Sequence, residues 1–214
     1  MKIKHFIGGY DKNLSYLLWC DKSKHAVIID PAVEIYPIIE HIRKQKLTLD
    51  KILITHSHYD HIKYLSDLTN YFNLIKVYIS HKTADKFNFH PLTNNQVISI
   101  GEDMLTCLET PGHYYDSISF FDSKNKIVFT GDTMFIGRTG RVISSNSNIK
   151  DLYNSIYKIL LELPEETIIY PGHHYGYKMF DSIKNNRISS DFFSCKNFQE
   201  FILVMDNYEK NRKN

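Results

Sequence analysis

Between Thr55 and Ile62 the chain sets three histidines and an aspartate within six residues, His56-Ser-His-Tyr-Asp-His61, directly after the apolar run Ile52-Leu-Ile54. Neutral imidazole and carboxylate are the donors that a borderline Lewis acid such as zinc prefers. Three later stations repeat the arrangement, an apolar run delivering a His or Asp onto a turn with Gly or Pro beside it: Thr110-Pro-Gly-His113, Thr130-Gly-Asp132 and Tyr170-Pro-Gly-His173. Together they offer His56, His58, Asp60, His61, His113, Asp132 and His173. A cluster of this kind is costly to bury without a cation. Seven donors exceed what one tetrahedral ion takes, and suit two ions that share a carboxylate and a hydroxide and polarise one substrate oxygen. Of the 11 histidines, His5, His25, His41, His81 and His90 stand outside such stations and read as ordinary surface or helix residues.

The elements that must position these groups follow from periodicity. Apolar runs bounded by turn residues predict strands near 14–20, 26–30, 51–55, 77–80, 97–100, 104–109, 117–121, 126–130 and 166–170. Helical stripes run through Ile35, Ile38, Ile39 and Ile42, with Pro37 in the first turn, and through Ile62, Leu65, Leu68 and Phe72. Two more run through Ile149, Leu152, Tyr153, Ile156, Leu160 and Leu163, and through Phe198, Phe201, Ile202, Met205 and Tyr208. The histidine cluster thus falls in a strand-to-helix turn, the usual place for ligands gathered by a rigid scaffold. Two strand-rich halves closed by helices predict an α+β fold, a four-layer αββα sandwich. The length of 214 residues suits a single domain over 1–214, with a short helical tail from about 177. The polar segment 138–148 reads as a mobile loop.

Composition narrows the function. Lys plus Arg is 26 and Asp plus Glu 24, a net charge of +2, too even to suggest a nucleic-acid or membrane-surface role by itself. The basic end, Lys210, Arg212 and Lys213, reads as a solvated terminus. Cys20, Cys107 and Cys195 form no Cys-x-x-Cys pair, so a disulfide framework is not expected and a cytoplasmic, reducing compartment is. No run reaches the roughly 18 apolar residues needed to span a bilayer, and the first ten residues lack the apolar core of a signal peptide.

Thr55-His-Ser-His-Tyr-Asp-His61 resembles the His-x-His-x-Asp-His motif of the metallo-β-lactamase fold superfamily, and the stations at His113, Asp132 and His173 match that family in order. Val27-Ile-Ile-Asp-Pro31 is similar to its earlier strand-end aspartate. The resemblance runs from about residue 14 to about 176, and the Gly-Asp-Thr-Met-Phe and Pro-Gly-His-His-Tyr segments are most similar to the glyoxalase II group, hydrolases of S-acylglutathione thioesters. It implies one metal held by His56, His58 and His113, a second by Asp60, His61 and His173, and Asp132 as the bridge. Two divalent ions are implied, zinc first, with iron or manganese as alternatives. The implied reaction is attack of a bridging hydroxide on a thioester carbonyl, with Asp60 and Asp132 as the catalytic carboxylates and Asp30 and Thr55 orienting the ligand imidazoles.

The chain departs from that group in three places. Gly137-Arg-Thr-Gly-Arg-Val-Ile143 stands where the group's glutathione-binding Gly-Lys-Phe-Tyr-Glu-Gly stretch falls, only about forty residues follow His173, and Ile62-Lys63-Tyr64 replaces a pair of glycines. Glutathione specificity is therefore not carried over. Arg138, Arg141 and Tyr175 are the candidates for an anionic substrate end. The partner expected is a small-molecule thioester or thiol-derived compound, not a nucleic acid or a membrane. The rival is a persulfide dioxygenase of the same fold, with one iron on His56, His113 and Asp132; its ligand set is the same, so metal identity separates the two. A nuclease of this superfamily carries an inserted domain or a basic face, neither visible here.

Overall fold

The computed structural model describes residues 1–84 and 87–212. Its first half runs β1 (Lys2–Gly8), β2 (Asn13–Trp19), β3 (His25–Ile29), α1 (Ile35–Gln45), β4 (Thr48–Leu53), α2 (Tyr59–Ile62), α3 (Leu65–Tyr71), β5 (Lys76–Ser80) and β6 (His90–Leu92). The second runs β7 (Val97–Ile100), β8 (Asp103–Glu109), β9 (Ile118–Asp122), β10 (Ile127–Gly131), α4 (Ile149–Tyr157), β11 (Ile168–Pro171), β12 (Asp181–Ser182), α5 (Ile183–Ser189) and α6 (Phe198–Asn211). Each half contributes one six-stranded sheet, ordered β1-β2-β3-β4-β5-β6 and β12-β11-β10-β9-β8-β7.

Strand alternation builds the layers. β2 is buried along its whole length because its two faces meet different cores. Leu17 and Trp19, with Ile28 and Ile52, pack against α1 and α3 through Ile38, Ile42, Leu65 and Leu68. Leu14, Tyr16 and Leu18, with Val27, Ile29 and Leu53, meet Leu105, Cys107, Ile118, Phe120 and Phe129 of the other sheet. The outer face of that second sheet, Val128 and Ile169, is covered by Leu152 and Ile156 of α4, Ile183 of α5 and Phe201 and Met205 of α6. Three cores between four layers give the αββα sandwich. Each fully buried Leu, Ile or Phe contributes about 1.5–3 kcal/mol to it.

β3 and β4 run parallel, as do β10 and β11, so four chain segments leave their strands at one edge. Asp30, Thr55 and His56, Asp132 and His173 all lie there. The sheets are tied at that edge by Ile118 N–H donating to the Thr55 carbonyl at 2.8 Å.

Several elements differ from the sequence expectation. β1 is an edge strand paired with β2; its charged, half-exposed residues carry no continuous apolar signal. The stripe from 62 to 72 is broken into α2 and α3, with Tyr64 N–H donating to the Pro31 carbonyl between them. α4 ends at Tyr157, and a 3-10 turn, Leu160–Glu162, buries Leu160 and Leu161. The segment 138–148 is not a free loop: Thr139 and Gly140 are buried, and exposure is confined to residues 143–146 and Asn148. Among the described residues no helix is long and apolar enough to cross a membrane. Lys213 lies outside the described residues.

Candidate metal centre

The centre is assembled from its supports. Asp30 follows β3 with a left-handed backbone, φ 50°. Its carboxylate accepts from Thr55 N–H and Thr55 Oγ1, each at 2.7 Å, and lies 2.8 Å from His61 Nδ1. The Thr55 hydroxyl, having donated to Asp30, accepts from His56 Nδ1 at 3.1 Å. His113 Nδ1 donates to the Arg141 carbonyl and His173 Nδ1 to the Asp11 carbonyl, both at 2.8 Å. These partners assign the tautomers: four rings donate outward through Nδ1, so Nε2 of each faces inward. His58 alone turns Nδ1 to the middle.

The inward atoms fall into overlapping sets. In the first, His58 Nδ1 lies 2.9 Å from His56 Nε2 and 3.1 Å from His113 Nε2. In the second, His173 Nε2 lies 3.2 Å from both Asp60 Oδ2 and His61 Nε2. Asp132 stands between them, Oδ1 3.2 Å from His61 and Oδ2 3.6 Å from His113 and 3.4 Å from His173. Ligands about 2.0–2.1 Å from one tetrahedral zinc are about 3.3 Å from each other, so this spacing fits the ion. Imidazole lone pairs this close repel unless a cation lies among them. Among the described residues Asp132 Oδ1 is buried and receives no well-directed hydrogen bond, an acceptor that a cation would satisfy.

The glycines of the stations now have a reason. A Cβ on Gly172 would stand 2.3 Å from Asp132 Oδ1 and 2.7 Å from His61 Cε1. Gly131 takes φ 50°, and a Cβ there would meet Thr55 Oγ1 at 2.5 Å.

The electrostatics are uneven. Burial, reinforced by neighbouring imidazoles, pushes His56 well below the usual histidine range and His58 down to about 4. Burial also opposes charge on His61 and His173, but facing carboxylates outweigh it. Asp132 and Asp30 hold His61 well above its ordinary value, and Asp132 and Asp60 raise His173 to about 9. The same imidazoles hold Asp60 and Asp132 low against the cost of burial.

A two-lobed cleft opens above these atoms. One lobe, about 490 Å³, is bounded by Tyr10, Tyr59 and Lys63; the other, about 280 Å³, by Phe135, Arg138, Arg141, Ile143 and Arg212. Asp11, His58, His113, Asp132 and Tyr175 line both. A larger open groove of about 850 Å³ lies elsewhere, along Thr48–Lys51 and Phe72–Lys76, and reaches none of the seven donors.

The three candidate substrate contacts differ. Tyr175 stacks on His173, centroids 4.7 Å apart and planes at 5°, and donates to Asp11 Oδ2 at 2.6 Å. Arg138 lies over the Tyr175 ring at 4.1 Å and donates to the Tyr208 hydroxyl. Arg141 lines the cleft, but its guanidinium is committed to Glu209, Nε at 2.8 Å and a terminal nitrogen at 2.7 Å. Arg212 is not merely a solvated terminus, because the end of α6 brings it to the cleft rim. Sequence reading missed Asn13, whose Nδ2 donates to Asp60 Oδ2 at 2.8 Å, and Asp11 beside it. The signal was the Gly8-Gly9 pair, which marks a tight hairpin before the apolar run. It also missed Tyr114, 4.1 Å from the His58 ring. His5, His25, His41, His81 and His90 reach neither the donor sets nor the cleft.

Residues 8–173 match the profile of the metallo-beta-lactamase superfamily. The chain is 34% identical over 206 residues to a probable hydroxyacylglutathione hydrolase, glo2, of Schizosaccharomyces pombe, covering 94% of this chain and 77% of that protein. It is 31% identical over 195 residues to a probable polyketide biosynthesis zinc-dependent hydrolase, PksB, of Bacillus subtilis, covering 89% and 85%. Among solved structures it is similar to ETHE1 from Myxococcus xanthus, with TM-score 0.89 and 30% identity over 100% of this chain and 92% of that one.

Proposed function

The chain belongs to the metallo-beta-lactamase superfamily, and from that premise we propose that it is a metal-dependent hydrolase of small-molecule thioesters, working in a cytoplasmic setting. The observation that carries the reading is the convergence of seven donor residues beneath one open cleft, five of which, His58, Asp60, His113, Asp132 and His173, line it. His56, His58 and His113 would hold one divalent ion, Asp60, His61 and His173 a second, and Asp132 would serve both, with zinc the metal that suits this donor set. Bound there, such ions supply Lewis acidity toward a carbonyl oxygen and bring the pKa of water toward neutrality.

The chain's own residues do the rest. Asp30, Thr55 and the Arg141 and Asp11 carbonyls hold the imidazoles in one tautomer and one orientation. Asn13 steadies Asp60 by a bond to the same oxygen that faces His173. Arg138, stacked on Tyr175 and joined at the rim by Arg212, faces the narrower lobe and makes no ion pair among the described residues. It is the cation that would take an anionic end of the substrate, whereas Arg141 is already neutralised.

The relatives named as hydrolases, one of hydroxyacylglutathione and one zinc-dependent, support the thioester and the metal. Elemental analysis of protein purified without added metal, run beside a thioester panel and an oxygen electrode, tests the reading. Two divalent ions per chain and thiol release without oxygen uptake are expected. One iron per chain with oxygen uptake on a persulfide overturns it.

A further inference from the structure

The last turns of α6 grip the segment that carries Arg141 at three successive points. Tyr208 accepts from the Arg138 guanidinium, Met205 Sδ lies 3.2 Å from Thr139 Oγ1, and Glu209 makes a bidentate pair with Arg141. Arg141 in turn offers its carbonyl to His113 Nδ1 at 2.8 Å. Among the described residues His113 makes no other side-chain hydrogen bond outside the donor cluster. The two ion-pair contacts are well directed and half-buried, and Arg–carboxylate pairs of this fork geometry fix orientation as well as energy. No comparable link runs from α6 to His173, whose outward bond goes to the Asp11 carbonyl in the β1–β2 turn.

We infer that Glu209 is a positioning residue that, through Arg141, holds the His113 imidazole and thereby sets the affinity of the His56–His58–His113 half of the centre without affecting the other half. The inference rests on the metal-ligand reading above. An outer partner of a ligand histidine commonly tunes affinity tenfold to a hundredfold, and here that partner is itself held by a residue of the C-terminal helix.

The test titrates metal-free protein with zinc against a chromophoric chelator, and follows the imidazole N–H signals of zinc-loaded, 15N-histidine-labelled protein. For Glu209→Gln, one of two equivalents should weaken several-fold, less than the roughly tenfold to hundredfold that follows loss of a direct outer partner. The His113 Nδ1–H should exchange faster with solvent while that of His173 stays unchanged. The reversed pair, Arg141→Glu with Glu209→Arg, should restore both, since it rebuilds the clamp and leaves the residue 141 carbonyl in place. Weakening of both equivalents together, of neither, or without rescue by the reversed pair overturns the inference while the wild type still binds two ions. A wild type that binds none overturns the metal reading and this inference with it.

Discussion

The two halves of the centre hold similar donor atoms in opposite electrostatic settings. His56, His58 and His113 face one another with only Asp132 among them, and burial pushes His56 and His58 toward the neutral imidazole, which keeps a single N–H. His61 and His173 face Asp30, Asp60 and Asp132, and those carboxylates favour the protonated form of both rings. In the second half protons therefore compete with a cation for the inward nitrogens, a competition that His56 and His58 scarcely offer in the first. Their supports also come from opposite ends of the chain, the β1–β2 turn for His173 and Asp60, the segment held by α6 for His113.

The largest way to break this comparison is Asp132→Ala, which removes the carboxylate common to both halves. Both zinc equivalents should weaken by more than the roughly hundredfold ceiling of an outer partner, and thioester turnover should fall with them. Isothermal titration that shows one equivalent untouched would refute the shared role. Next is Asp30→Ala, which strands the Thr55 amide, the Thr55 hydroxyl and His61 Nδ1 in a buried site. Urea unfolding of the metal-free protein should show a loss of about 3 kcal/mol or more, because breaking a buried pair leaves its partner uncompensated.

The pH dependence sharpens the contrast further. Zinc entering the second half must displace protons from His61 and His173, whose affinities for protons are raised. Its apparent affinity should rise with pH up to about 9, by about tenfold per unit for each proton displaced. In the first half His58, at about 4, should contribute no such slope above about pH 5. Calorimetry in two buffers of different ionisation heat reads the protons directly, and equal release at the two steps would remove the distinction. The smallest effect is Asn13→Ala, which takes one hydrogen bond from Asp60 and should weaken the second half alone by about tenfold in the same zinc titration.

Much of this was legible before any fold was known. β2, β3, β4, β8 and β10 are apolar runs whose ends fall within a few residues of the expected ones, and each ligand station sits on the turn that follows its strand. Elements that escaped, β1, β6, β12 and α5, carry half-exposed or polar residues with little periodicity to detect. Of the three candidate substrate contacts, composition alone could not separate Arg138 from Arg141. Their difference is the carboxylate of Glu209, 68 positions further along the chain than Arg141.

By itself, then, the sequence determined which donor atoms are present and that they emerge from strand ends, since alternation, helical period and turn-forming Gly and Pro are properties of neighbouring residues. The tertiary structure alone decided which nitrogen of each imidazole faces inward, which carboxylate faces which ring, which arginine keeps its charge available, and that α6 ends at the rim of the cleft. Those outcomes depend on pairs such as Asp11 with His173, 162 positions apart, and hydrogen bonds of that span exist only once the sheets have packed and brought the two chain ends to one edge.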